Sequence, residues 1–102
     1  MTTVHKYSLQ LEDYTTVSMP QYAELLTVGE QNDQLMLWAR VNTNCRTEVR
    51  RFRVVGTGHP EAVGKYVGTA LLHGGHLVLH VFDVTPSQSL ADFITGQPLL
   101  DG

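Results

Sequence analysis

YVGTALLHGGHLVLHVFDV, residues Tyr66 to Val84, contains two apolar runs that meet at Gly74-Gly75. Such a pair of glycines suits the primed turns whose twist matches that of the flanking strands, so the segment is expected to be a β-hairpin. Counting back from the turn, Leu72 faces Leu77, Leu71 faces Val78, Ala70 faces Leu79, Thr69 faces His80 and Val67 faces Phe82. Both faces of this ribbon are largely apolar. It is therefore expected to be central and covered on two sides, by a second sheet or a second subunit.

The same period of two recurs on either side. Tyr7, Leu9 and Leu11 alternate with Lys6, Ser8 and Gln10, the pattern of a half-buried strand. Thr15 to Met19 is a β-branched run stopped by Pro20. Glu24–Gly29 and Leu35–Val41 flank Asn32-Asp33, two residues that tolerate left-handed backbone. A turn there sets Val28 opposite Leu37, Leu26 opposite Ala39, Trp38 opposite Thr27 and Arg40 opposite Leu25, with Trp38 and Arg40 sharing a face. In Glu48–Val55, Arg51, Arg53 and Val55 lie on one face, and Arg50, Phe52 and Val54 on the other. Beyond Asp83 the spacing of Leu90, Phe93 and Ile94 predicts one short helix capped by Ser87 or Ser89, then a tail. The pattern as a whole predicts a mostly β protein, a compact antiparallel β-sandwich or barrel of about six to seven strands with that one short C-terminal helix. Residues 1–84 would form a single β domain, and 85–102 the helix and tail.

Composition narrows the function classes. A chain of 102 residues can build one modest core. Its net charge of −3 argues against general nucleic-acid binding, which needs a broad basic face. Only 17% of residues are charged, below the roughly 25% usual in soluble domains. That shortage points to surface covered by further copies of the chain, hence a homo-oligomer. The lone Cys45 excludes an internal disulfide framework and fits a reducing cytosol. Met1 to Lys6 run straight into strand-like sequence, so no leader is expected, and the apolar run Leu77–Phe82 is far too short to cross a membrane.

Polar chemistry concentrates in Arg50–Tyr66, RRFRVVGTGHPEAVGKY, where Arg50, Arg51 and Arg53 could fork onto one anion or instead face solvent or pair with Glu48, Glu61 or Asp83. Glycines let a backbone aim several N–H groups at one point, and such nests hold phosphate or carboxylate oxygens. Gly56, Thr57, Gly58 and His59, flanked by Arg51, Arg53 and Lys65, are thus the candidate receptor for a small anion, with Trp38 and Arg40 as a stacking wall for a base. The alternative for this loop is a wide turn whose glycines merely supply positive φ. His73 and His76 sit across the hairpin end, and His80 lies about 13 Å further along an extended strand. No metal site is expected from that spacing; His73 and His76 are read as polar tips and His80 as a buried ring bonded to Thr69. Cys45 beside Arg46 has neither a positioned base nor an oxyanion hole to work with, so neither an enzyme nor a cofactor is expected.

His5-Lys6-Tyr7-x-Leu9, Leu37-Trp38-Ala39, Phe52-Arg53-Val54-Val55-Gly56-Thr57-Gly58-His59-Pro60, Tyr66-Val67-Gly68-Thr69 and His80-Val81-Phe82 form an ordered set. From about Lys6 to Asp83 the chain resembles a family of small accessory proteins encoded by tailed phages and prophages. The resemblance implies the host-cell cytosol as the setting. By analogy it also implies a non-enzymatic anti-defence role, sequestering a host nucleotide immune signal. The alternative is a protein–protein inhibitor or adaptor that acts on a host protein through its apolar face and edge strands.

Overall fold

The structure is a computed structural model and describes residues 1–86; the expected helix over Ser87–Ile94 lies outside them. Seven strands follow one another: β1 (Thr2–Ser8), β2 (Tyr14–Pro20), β3 (Glu24–Gln31), β4 (Gln34–Asn42), β5 (Thr47–Gly56), β6 (Lys65–Leu72) and β7 (Leu77–Asp83). They form two antiparallel sheets, ordered β1-β4-β3 and β2-β5-β7-β6. The sandwich form is the one adopted, and no closed barrel is made.

β4 shows why. Leu35, Leu37, Ala39 and Val41 are buried, while Met36, Trp38 and Arg40 between them are half-buried or exposed. The second sheet answers with Met19, Phe52, Val54, Ala70, Leu72, Leu79 and Val81, and both inner faces close on one continuous core. Phe52 and Leu37 are fully enclosed at its centre. Truncating Phe52 to alanine would cost about 3–5 kcal/mol by lost burial and a residual cavity.

Both hairpins keep the expected register next to their turns and lose it further out. Asn32 and Asp33 have φ of 53° and 61°, a primed turn, and Thr27↔Trp38 and Val28↔Leu37 pair as expected. A bulge at Leu26 then sets Leu25 opposite Ala39 and Glu24 opposite Arg40, one residue off the expected pairs. In the other hairpin Leu72↔Leu77 through Thr69↔His80 pair as expected. A bulge at Val67 puts Tyr66, rather than Val67, opposite Phe82. An extra residue in one strand re-aims everything beyond it.

The two bulged strands meet. β3 and β6 border their respective sheets and run side by side, so close at Gly68 that a Cβ there would lie 2.8 Å from Val28 Cγ2 and 3.2 Å from Val28 N. At one end of this seam the hairpin tips clasp. The connection His73–His76 contains a short 3₁₀ turn with His73 itself at φ 53°, instead of a bare two-glycine turn. His73 N and His73 Nδ1 both reach the Asp33 carboxylate, each at 2.7 Å. The β6–β7 ribbon is only half covered, because Leu71 and Tyr66 on its outer face remain 56% and 57% exposed. Its apolar residues exceed what the β1-β4-β3 sheet encloses.

Candidate functional site

The Gly56–Pro60 loop closes on itself. Gly56 N donates to His59 Nδ1 at 3.2 Å, and His59 N donates back to Gly56 O at 3.1 Å. The imidazole lies against Gly56 so closely that a Cβ at that position would be 3.1 Å from its Cε1. His59 and the Gly56 amide thus serve one another. Gly58 (φ 89°) supplies the backbone that only glycine adopts readily there, with open space around it. Thr57 Oγ1 is 2.8 Å from His80 Nε2, His80 Nδ1 is 2.9 Å from Thr69 Oγ1, and Thr69 Oγ1 is 2.6 Å from the Tyr66 hydroxyl. This chain of hydroxyls fixes the His80 ring, with Thr69 as its expected partner; the ring is half-exposed and not buried as expected, because its other nitrogen reaches the exposed Thr57 hydroxyl.

The arginines divide. Arg53 is 5% exposed. Its Nη1 donates to Asp13 O and Val54 O at 3.1 Å, and its Nη2 to Pro60 O at 3.3 Å. The Asp13 carboxylate lies at 3.4 Å. This side chain fastens the β1–β2 and β5–β6 connections to the outer face of its sheet. Arg51 stays exposed, its guanidinium 4.4 Å from the centre of the Tyr14 ring, a cation–π contact. Trp38 and Arg40 lie on the outer face of the other sheet, with the indole over Gly29 and Arg40 Nε 3.4 Å from the Glu24 carboxylate. The expected site residues therefore fall in separate places and do not converge on one anion.

Lys65 belongs to a different constellation. Where the bulges at Leu26 and Val67 face each other across the seam, a pocket of about 400 Å³ opens. Ala23, Leu25, Leu26, Val67 and Tyr66 give it apolar and aromatic walls, while Arg50, Lys65, Asp83 and Glu24 bring charge. Arg50 shares the inward face of β5 with Phe52 and Val54, so its guanidinium ends at the open margin of the core. There Nη2 meets Asp83 Oδ2 at 2.7 Å and Nη1 donates to Ala23 O at 3.2 Å. Burial pushes the Asp83 carboxyl up. The Arg50 hydrogen bond, the Thr85 amide and hydroxyl, and the Arg50 charge outweigh it and hold the carboxyl below its usual range. Glu24 is engaged by Arg40. Lys65 is exposed and makes no ion pair or side-chain hydrogen bond among the described residues. Arg50 has Asp83 and, at 4.0 Å, Glu48 beside it and Glu24 is engaged by Arg40, so the cation of the pocket left unpaired among the described residues is Lys65, next to the Tyr66 ring.

Sequence reasoning grouped Arg50 with Arg51 and Arg53 and offered Asp83 among its possible partners; the structure pairs it with Asp83 but parts it from the other two, at a pocket that the sequence did not announce. The signal was present: an arginine in phase with Phe52 and Val54 must either carry its charge out of a core or carry a partner in. Among the described residues no group of three or more His, Cys, Asp or Glu side chains is arranged to hold a metal.

Residues 1–91 match the family described as Domain of unknown function (DUF7352). No curated protein and no solved structure matches the chain.

Proposed function

We propose that this chain, which belongs to the DUF7352 family, is a non-enzymatic binder that holds a small anionic ligand in the seam pocket. The observation that carries the reading is Lys65, a cation without a partner among the described residues, at a pocket that also holds the Arg50 guanidinium. A volume of about 400 Å³ sits at the lower end of small-molecule sites, which fill ~300–1,000 Å³. One phosphate or carboxylate would take Lys65 and the remaining donors of Arg50. Tyr66, 57% exposed, offers a face to a base, and Leu25, Leu26 and Val67 offer apolar contact. A mononucleotide combines these features. The resemblance to phage and prophage accessory proteins supplies a setting, in which binding without turnover would withdraw a host nucleotide signal in the cytosol.

Calorimetric titration with nucleoside monophosphates, a cyclic dinucleotide and inorganic phosphate tests the reading. Lys65→Ala is expected to weaken the best ligand about tenfold, the worth of one charge-assisted contact near ~1.5 kcal/mol. Ligand recovered after denaturation is expected intact. Equal affinity of Lys65→Ala and the wild type would contradict the proposal, and so would recovery of a cleaved product.

A further inference from the structure

The outer edge of β1 differs from the other strand borders. β3 and β6 cover one another along the seam. β2 also borders its sheet with nothing paired beyond it among the described residues, but it ends in Pro20. β1 is open in the same way. It contains no proline, its register with β4 is unbroken from Thr2 to Ser8, and none of its residues is buried. Val4 is 53% exposed. Lys6, its one lysine, is drawn aside by a hydrogen bond to the Gln31 side chain. The usual guards of a strand edge, a bulge, a proline or a projecting lysine, are missing.

The phase of the ladder follows from its two ends. Thr43 N donates to Met1 O and Leu9 N donates to Leu35 O, so in this unbroken antiparallel pair the odd positions of β1 bond to β4. The N–H and C=O groups of Thr2, Val4, Lys6 and Ser8 then point outward.

We propose that β1 pairs antiparallel with β1 of a second copy, about a two-fold axis at Val4, joining two three-stranded sheets into one of six. The occupant is argued from self-complementarity. With Val4 on the axis, the outward groups of each strand meet those of the other in phase, and the exposed Val4 side chains cover one another. Lys6 falls opposite Thr2 of the second copy and His5 opposite Thr3, so no like charges meet. An isologous contact of this kind consumes both edges and closes the assembly. The low charged fraction of 17% fits a surface partly covered in this way.

Sedimentation equilibrium over a micromolar to millimolar range tests the pairing. The wild type is expected to have twice the mass of one chain. Val4→Pro removes an outward N–H without breaking a β1–β4 bond and should give a folded protein of single-chain mass, whose melting temperature no longer depends on concentration. Val4→Lys leaves the backbone intact, places like charges on the axis and should do the same. His5→Pro, which removes an inward bond, should instead lower the melting temperature. A wild type of single-chain mass throughout would overturn the proposal and leave the edge to a strand of another protein. A dimer that survives both Val4 substitutions would overturn it too.

Discussion

Arg50 and Arg53 stand on one strand and on opposite faces of it, and their surroundings give them different work. Arg53 is enclosed by backbone carbonyls and the Tyr14 ring, 5.1 Å from its guanidinium carbon. Arg50 reaches the margin of the core, pairs with Asp83 and opens toward the pocket. Arg53→Met keeps the stem packed while removing the side-chain donors to Val54 O and Pro60 O and one of the two donors to Asp13 O. It should lower urea stability by about 1–3 kcal/mol, the cost of leaving buried polar groups unsatisfied. Ligand affinity of the folded protein should stay unchanged. A variant of wild-type stability with weakened anion binding would return Arg53 to the ligand site. The division of faces was legible in the sequence, since alternation alone separates Arg50 from Arg51 and Arg53. Which face lies under covering loops was not. Asp13 and Pro60, which enclose Arg53, are brought there by the fold. His59 gave no warning either, because a histidine that caps its own glycine turn has the same residues as one that awaits a ligand.

The hairpins show the same boundary at the scale of elements. Apolar spacing and turn chemistry set the pairing near each turn, where Val28↔Leu37 and Leu72↔Leu77 follow directly. The bulges at Leu26 and Val67 escaped that count, because an apolar residue inserted in an apolar run leaves the pattern looking continuous. Those two irregularities splay the seam and make the pocket. The clasp between hairpin tips was equally hidden, since Asp33 and His73 are far apart in the chain. It has a pH signature. Hydrogen bonds from the His73 amide and ring hold the Asp33 carboxyl below its usual range, with the His73 charge adding to them against a small desolvation. A carboxyl whose folded pKa is depressed contributes stability that is fully present above its unfolded value near ~3.9 and is lost as pH falls through the folded value. Asp83, also depressed, acts in the same direction. Acid denaturation followed by tryptophan fluorescence should show Asp33→Asn less stable than the wild type at neutral pH. The gap should narrow as the solution is taken below pH ~4. A constant gap across the titration would show that the clasp draws nothing from the ionised carboxylate.

For the whole molecule, the two sheets share a core, and the seam where β3 and β6 run side by side holds the pocket. The mostly β architecture was legible because the period of two persists through nearly every segment between the turn residues. The proposed receptor was legible only in kind, as cations near an aromatic ring. Its place was set by two bulges and by Asp83, which no local motif joins to Lys65. The account requires the ligand to enter the seam pocket and not the Gly56–Pro60 loop. Two-dimensional amide NMR of the labelled protein, titrated with a nucleoside monophosphate, separates the two directly. The account predicts saturable shifts at Ala23–Leu26, Arg50, Lys65–Val67 and Asp83, with Gly56–His59 still. Shifts confined to Arg51–His59, or none at millimolar ligand, would contradict it.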